Sequence, residues 1–558
     1  MTRRQIWVGV LAASAFGALS LAGAGCGGGG TKSGAGKTST SGGTASRNAG
    51  RTFGTFRVTW DAPDYFDPGL AYTATSWQII QHAYLGLLGY KQTAGPSGAT
   101  IIPVLAESLP TVSADGKNYK LKLREGLDYS NGRPVKASDF KASIERLYKI
   151  ESPGVGFFDQ IQGAGTFSQT KQGGISGIIV DDAKRTVEIE LASPRGDFMQ
   201  ILGIPFAAIL PKSTPASDQS TTGIPATGPY MQQSYKPNRT FVFVRNPNYT
   251  ELPGIPRGNP DKLVGTILSE ETAALQTVLT GKSDYDFRTI PADRLKDLQT
   301  KYKDQLKLYT SANTYYFAMN VRTPPFDKLE ARQAVNYAID RGAIVRLFGG
   351  LGVTTQNFLP PTYPQYKKID YYTHDLAKAK QLVEKSGTAG MTVTAWGRND
   401  APSQPTTEYL VDVLNSIGWR ARPKLLAPDV YFTTIGNQAT RAQIMDTNWF
   451  QDYPHPLDWF DVLLNGNRIT QTHNNNVGNA DFPAANALIE KLKKEPKLTA
   501  AVNEHWAELE RDYVAKYAAF ASYLTREGTD FFGKNVDTSC YYSHVLFQFD
   551  WTAICMKK

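Results

Sequence analysis

The chain has 558 residues, 60 Lys and Arg against 51 Asp and Glu, and a formal charge of +9, which falls to +7 without Arg3 and Arg4. A charge this thin, with no basic run long enough to track a phosphate backbone, argues against a nucleic-acid partner. The six histidines show no helical zinc spacing, and there is neither a Gly-x-Ser-x-Gly elbow nor a paired-cysteine motif, so no enzyme, metal or cofactor signature is present.

Met1-Thr2-Arg3-Arg4, an apolar run from Ile6 to Leu21 and small residues up to Cys26 form an export leader in three parts, expected over 1–25. The run is short for a membrane span, which needs about 20 apolar residues. Ala22-Gly23-Ala24-Gly25-Cys26 resembles a bacterial lipobox, with Gly23 where an aliphatic residue is usual, so Cys26 is expected to be lipidated; free secretion is the alternative. The segment 26–52 is rich in Gly, Ser and Thr and reads as a flexible tether reaching about 25 to 30 Å. Within it, Ser33 to Thr38 mimics a phosphate-binding loop, but Thr31 stands where that motif needs glycine. Apart from Cys26 the cysteines are Cys540 and Cys555, which an oxidising compartment would pair; two free buried thiols are the other reading.

The remaining 500 or so residues exceed one core and predict two or three lobes. Thr55 to Trp60 alternates like a strand, and apolar residues at 79, 80, 83, 84, 87 and 88 predict a helix from Trp77 to Tyr90. Ser113 to Lys117 predicts a hairpin turn before a strand at 119–124, and Ser138-Asp139 starts a helix. Two strands are expected between Ile175 and Leu191, turning at Asp181-Asp182, and another at 240–245. Helices at 272–280, 292–302, 329–348, 376–386 and 407–417, with a strand at 391–396, make this an α/β chain on mixed sheets. From Trp449 to Phe460, aromatic rings surround Asp452, His455 and Asp458, and Pro454 and Pro456 restrict the backbone. This predicts an ordered loop presenting Asp452 to a cation beside apolar walls; a surface turn with its rings tucked inward is the other reading.

The runs Ala106-Glu107-Ser108-Leu109, Leu123-Arg124-Glu125-Gly126 and Ser130-Asn131-Gly132-Arg133-Pro134-Val135 are followed in order by Ala226-Thr227-Gly228-Pro229-Tyr230, Arg245-Asn246-Pro247-Asn248-Tyr249 and Ala331 to Arg341. This ordered set resembles the extracellular solute-binding proteins of family 5, the peptide and nickel receptors of ABC importers. The resemblance implies a periplasmic-binding-protein-like fold (type II, cluster C-like): two large lobes with a hinge and an inserted third domain. Lobe I would comprise 53–90, 225–312 and 520–558, the inserted lobe II 91–224, and lobe III 313–519. Hinge crossings are expected near 310–320 and 516–523.

The resemblance further implies that Asp452 pairs with a ligand's α-ammonium, although His455 stands where the family often has an acidic residue. Trp449 and Tyr453 would flank it and Tyr431 would point toward the cleft. Trp77 and Tyr72 could face the cleft from lobe I, and Asn320 could offer hydrogen bonds at the hinge or cap a strand. The implied function is capture of a peptide-like solute by a monomeric, membrane-anchored receptor at the cell surface or in the periplasm, and its delivery to an ABC permease. A sensor or adhesion lipoprotein for an oligosaccharide, metal chelate or haem is the alternative, and a hydrolase using Asp452 with Asp458 or Asp461 a remoter one.

Overall fold

A computed structural model describes residues 54–557, apart from Ser269, Thr289, Pro364 and Phe547. The leader, Cys26 with its expected lipid, and the tether lie outside the described residues. Strand Thr55–Trp60 buries Phe56, Val58 and Trp60 on one face, as its alternation dictates. It runs parallel to Lys262–Ile267 on one side and Tyr285–Asp286 on the other. Antiparallel strands extend this sheet to seven: Thr240–Arg245 and Tyr230–Lys236 toward one edge, Glu527–Phe532 and Leu306–Thr310 toward the other.

The inserted segment forms a four-stranded antiparallel sheet in the order Thr111–Val112, Asn118–Lys122, Thr186–Glu190, Ile178–Asp181, accompanied by helix Ala137–Lys149. Its core is continuous with that of the seven-stranded sheet, so lobe II grows from lobe I. A buried ion pair joins the two: Arg146 donates from both terminal nitrogens to Asp67, at 2.9 and 2.5 Å, and from Nε to the carbonyl of Pro215 at 2.7 Å.

The third sheet has six strands, ordered Val353–Thr354, Phe520–Thr525, Asn313–Met319, Ile444–Phe450, Thr392–Arg398, Arg420–Leu426. Asn313–Met319 is buried at every position: Tyr315, Phe317 and Met319 enter one core while Tyr316 and Ala318 enter another on the opposite face. That double burial explains an unbroken apolar run where a half-buried strand would alternate.

The chain passes between the two large sheets twice. One crossing is Ser311-Ala312; the other is Arg526, because strand Phe520–Thr525 pairs within the six-stranded sheet and Glu527–Phe532 within the seven-stranded one. The lobe I return therefore begins after 525 rather than at 520, and the second crossing lies beyond the expected 516–523. Asn313 ties the crossings together, accepting from the Arg526 amide at 2.9 Å and donating to the Arg526 carbonyl at 3.0 Å.

Three predicted elements are corrected. The helix expected from Trp77 to Tyr90 is Ala74–Ile80, and Leu88–Tyr90 is instead a strand against Ile101–Pro103. At Gly86 a Cβ would stand 3.0 Å from the Ala207 carbonyl, an approach a regular helix face does not allow. The single helix at 329–348 is two, Leu329–Ala338 and Arg341–Leu347, because Asp340 caps the second by accepting from the Ala343 amide at 3.1 Å. The stretch 449–460 is a loop only between strand Ile444–Phe450 and helix Leu457–Leu463.

Cys540 and Cys555 are disulfide-bonded and pin the tail, where Val536–Asp537 pairs with Cys555–Met556. Asn259 fastens this tail to lobe I, donating to the carbonyls of Thr552 at 2.6 Å and Ala553 at 2.8 Å. Replacing both cysteines by serine should cost about 3 kcal/mol from the loop closed. Spread over the unfolding entropy of a chain this long, that is a loss of about 3 °C in Tm by calorimetry.

Candidate functional site

Between the two large sheets lies a cavity of about 760 Å³, within the usual range for small-molecule sites. Lobe I contributes Tyr72, Trp77 and the tail around Val545; the first crossing contributes Tyr309 to Ala312. Lobe III adds the end of its central strand from Thr447 through Asp452, together with Phe432 and His473, and the inserted lobe adds Glu151 to Pro153.

Asp452 is placed by the turn that follows strand Ile444–Phe450. Its own amide donates to Asp458 Oδ2 at 3.0 Å, and the Trp449 indole donates to the same oxygen at 3.3 Å. The neighbouring Gln451 crosses to lobe I, its side-chain amide donating to the Val545 carbonyl at 2.7 Å. From the other wall the Tyr72 hydroxyl donates to Asp452 Oδ2 at 2.7 Å. The Tyr72 ring is held by Phe206 and Trp77, with centroids at 5.3 and 5.8 Å. Among the described residues no cationic side chain forms an ion pair with Asp452.

Burial raises the Asp452 carboxyl to about 7, with the Tyr72 hydrogen bond working in the opposite direction. Burial raises Asp458 further still, and the charge of Asp452 adds to that. The two carboxyls titrate as an interacting pair, with burial raising both and Asp458 the more strongly.

Four of the eight expected contact residues, Asp452, Trp449, Trp77 and Tyr72, line the cavity, and four do not. Tyr453 is fully buried and donates to Asp197 at 2.7 Å, reaching the inserted lobe instead of the cleft. Asp197 also holds Arg195 at 2.6 Å; burial would raise its carboxyl, but Arg195 brings it below the ordinary value. Tyr431 is buried beneath the six-stranded sheet, donating to the carbonyls of Asp446 at 2.7 Å and Trp396 at 3.0 Å. His455 is a helix cap: its Nδ1 accepts from the Leu457 amide at 3.2 Å, and burial lowers its pKa to about 4, so the ring is neutral. Asn320 ends its strand by donating to the Ala442 carbonyl at 2.9 Å and accepting from the Arg322 amide at 3.1 Å.

Phe432, Phe450, Glu151 and His473 line the cavity without having been singled out by sequence reasoning. Phe432 and Phe450 remain 48% and 39% exposed, unusual for phenylalanine. On helix Pro428–Ile435 adjacent residues diverge by about 100°, so Tyr431 turns into the core and Phe432 into the cleft. Glu151 and His473 sit at left-handed φ values of 53° that sequence composition does not flag.

Two sheets joined by paired crossings around an interlobe cavity define a two-lobed solute-binding protein. Residues 100–471 match the bacterial extracellular solute-binding proteins, family 5 middle, and the chain belongs to that family. It is 28% identical over 467 residues to a heme-binding protein A of Haemophilus influenzae, covering 78% of this chain and 81% of that one. With di/tripeptide-binding protein 1 of Pseudomonas aeruginosa the identity is 27% over 463 residues, covering 78% and 82%. Among solved structures, clavulanic acid biosynthesis oligopeptide binding protein 2 superposes with a TM-score of 0.83 at 23% identity, over 91% of this chain and 96% of the other. The periplasmic binding protein DppA of Helicobacter pylori, in complex with the peptide STSA, superposes at 0.77 with 18% identity, over 91% and 99%.

The Tyr453 hydroxyl links lobe III to the inserted lobe outside the cavity. Tyr453→Phe should therefore lower stability by about 1 to 3 kcal/mol in denaturant titrations, the cost of leaving a buried acceptor short of a donor.

Proposed function

We propose that this protein is the solute receptor of an ABC importer, that it captures a short peptide or peptide-like amine between its lobes, and that it delivers the ligand to a membrane permease. In this reading it acts as a monomer held at the membrane by lipid on Cys26, with the tether 26–52 giving the body reach. It is a binding protein and not an enzyme, like the relatives described above.

One observation carries the choice of ligand: a buried carboxyl, Asp452, sits in the wall of a cavity with aromatic lining and has a tyrosine hydroxyl as its partner. A desolvated carboxylate is costly without an opposite charge. A ligand ammonium supplies that charge, and lobe closure around it strengthens the pairing. Trp449, Trp77 and Phe432 offer apolar and cation–π surface to the rest of an amine-bearing ligand. Of the ligand types named for the relatives, di- and tripeptides have this chemistry: an ammonium at one end and side chains that suit aromatic walls.

Calorimetric titration with free-amine peptides should show Asp452→Ala binding about 30-fold or more weakly, since losing one partner of a buried charge pair costs about 2 to 5 kcal/mol. Unchanged affinity would remove the ammonium assignment.

The pH dependence has a defined sign. The Asp452 carboxyl is raised, the anionic form binds the ammonium, and an α-ammonium stays charged below about 7.7. Affinity should thus fall as pH drops through about 7 toward 5, approaching tenfold per unit. Asp452→Asn should flatten that profile.

A further inference from the structure

The charged residues around the cavity are unevenly divided. Asp452 and Glu151 line it as carboxylates, from lobe III and the inserted lobe respectively. The described lining residues include no lysine or arginine; their basic members are His473 and His544. His544 is a structural ring, its Nδ1 accepting from the Leu546 amide at 3.1 Å and its Nε2 lying 3.1 Å from the Lys91 carbonyl. Burial lowers its pKa to about 4, so it brings no positive charge.

Three arginines of the lobes have carboxylate partners. Arg398 lies 5.9 Å from the Phe432 ring centroid and pairs with Asp400 at 3.0 Å. Arg195 pairs with Asp197 at 2.6 Å, and Arg468 approaches Asp461 at 3.8 Å. Glu151, by contrast, is solvent-exposed and has no ion pair among the described residues.

We infer that the cavity selects cationic ligands whose carboxyl end is neutral or absent, so that C-terminally amidated short peptides and related amines are preferred over the corresponding free acids. The inference rests on the proposed role of Asp452 and narrows it. A free dipeptide or tripeptide closed into this space would bring its carboxylate toward Glu151 and Asp452 with no lysine or arginine in the described lining to receive it. Like-charge juxtaposition in a desolvated interface is strongly unfavourable. The amide removes that charge and keeps the ammonium, while Asn448, Gln548 and Ser152 supply neutral hydrogen-bonding groups for an amide end. Glu151 adds a second attraction for a cationic side chain or a second amine.

The test is a tryptophan-fluorescence titration, using Trp449 and Trp77 as reporters. The purified protein is titrated with three matched pools of random di- to tetrapeptides: free acids, C-terminal amides, and N-acetylated amides. The amide pool should bind about fivefold or more tightly than the acid pool, and N-acetylation should abolish most of that affinity. Glu151→Gln should narrow the amide-to-acid ratio toward one; an unchanged ratio would overturn the part given to Glu151. Tighter binding of the acids would overturn the inference while leaving the ammonium reading intact. Equal binding of amides with and without N-acetylation would overturn that reading as well, and no response to any pool would overturn both together with the peptide assignment.

Discussion

The cleft depends on one desolvated carboxylate held between two lobes. Asp452 belongs to lobe III, and its hydrogen-bond donor Tyr72 to lobe I, so the site exists only where the lobes meet. Asp458 makes this arrangement tolerable. Buried beneath the turn, with its pKa raised by burial and by the charge of Asp452, it anchors the amide of Asp452 and the indole of Trp449. Burial and mutual repulsion push the ionisations of these two carboxyls apart, and Asp458 also positions the turn that carries Asp452.

The scaffold that brings Tyr72 to Asp452 rests on a small piece of backbone bookkeeping. Both passages between the large sheets are one or two residues long, and Asn313 bonds them side by side through the oxygen and the nitrogen of its side-chain amide. Such short, cross-linked strand ends restrict the lobes to rotation about a common line, the geometry expected of a hinge. Lobe II is fastened to lobe I, since the two share a core and the Arg146–Asp67 ion pair.

Much of this frame was legible in the sequence, because strand alternation at 55–60 and 186–190 and helix periodicity at 376–385 are local signals that packing reinforced. The failures share a cause. The apolar run after Trp77 fits a helix period and a buried strand equally well, and Gly86, pressed against Ala207, decided for the bend. The strand at 520–525 carried no sign of which sheet it would join; that is set by the partner strand 313–319, some two hundred residues earlier. At the site, Asp452 was legible as a carboxylate among rings and prolines. Tyr431, Tyr453 and His455 were not, since an aromatic near the site serves equally well as a buried hydrogen-bonding strut. Phe432 shows how fine the distinction is: one residue along the same helix exchanges core for cleft.

Closure has a driving force that does not depend on ligand. The Tyr453–Asp197 hydrogen bond and the Gly196 amide, 2.8 Å from the Lys493 carbonyl, join the inserted lobe to lobe III. Gly196 sits tight against lobe III, for a Cβ there would lie 2.0 Å from the Glu495 carbonyl. These contacts offset part of the cost of bringing Asp452 out of water, but they cannot supply its missing counter-charge. An ammonium in the cleft does, and only in the closed arrangement, where low dielectric makes the pairing strong. A ligand shifts a conformational equilibrium by its difference in affinity for the two states. In the proposed reading that difference is concentrated in a single charge at the seam, so recognition of the cation and closure of the lobes are the same event.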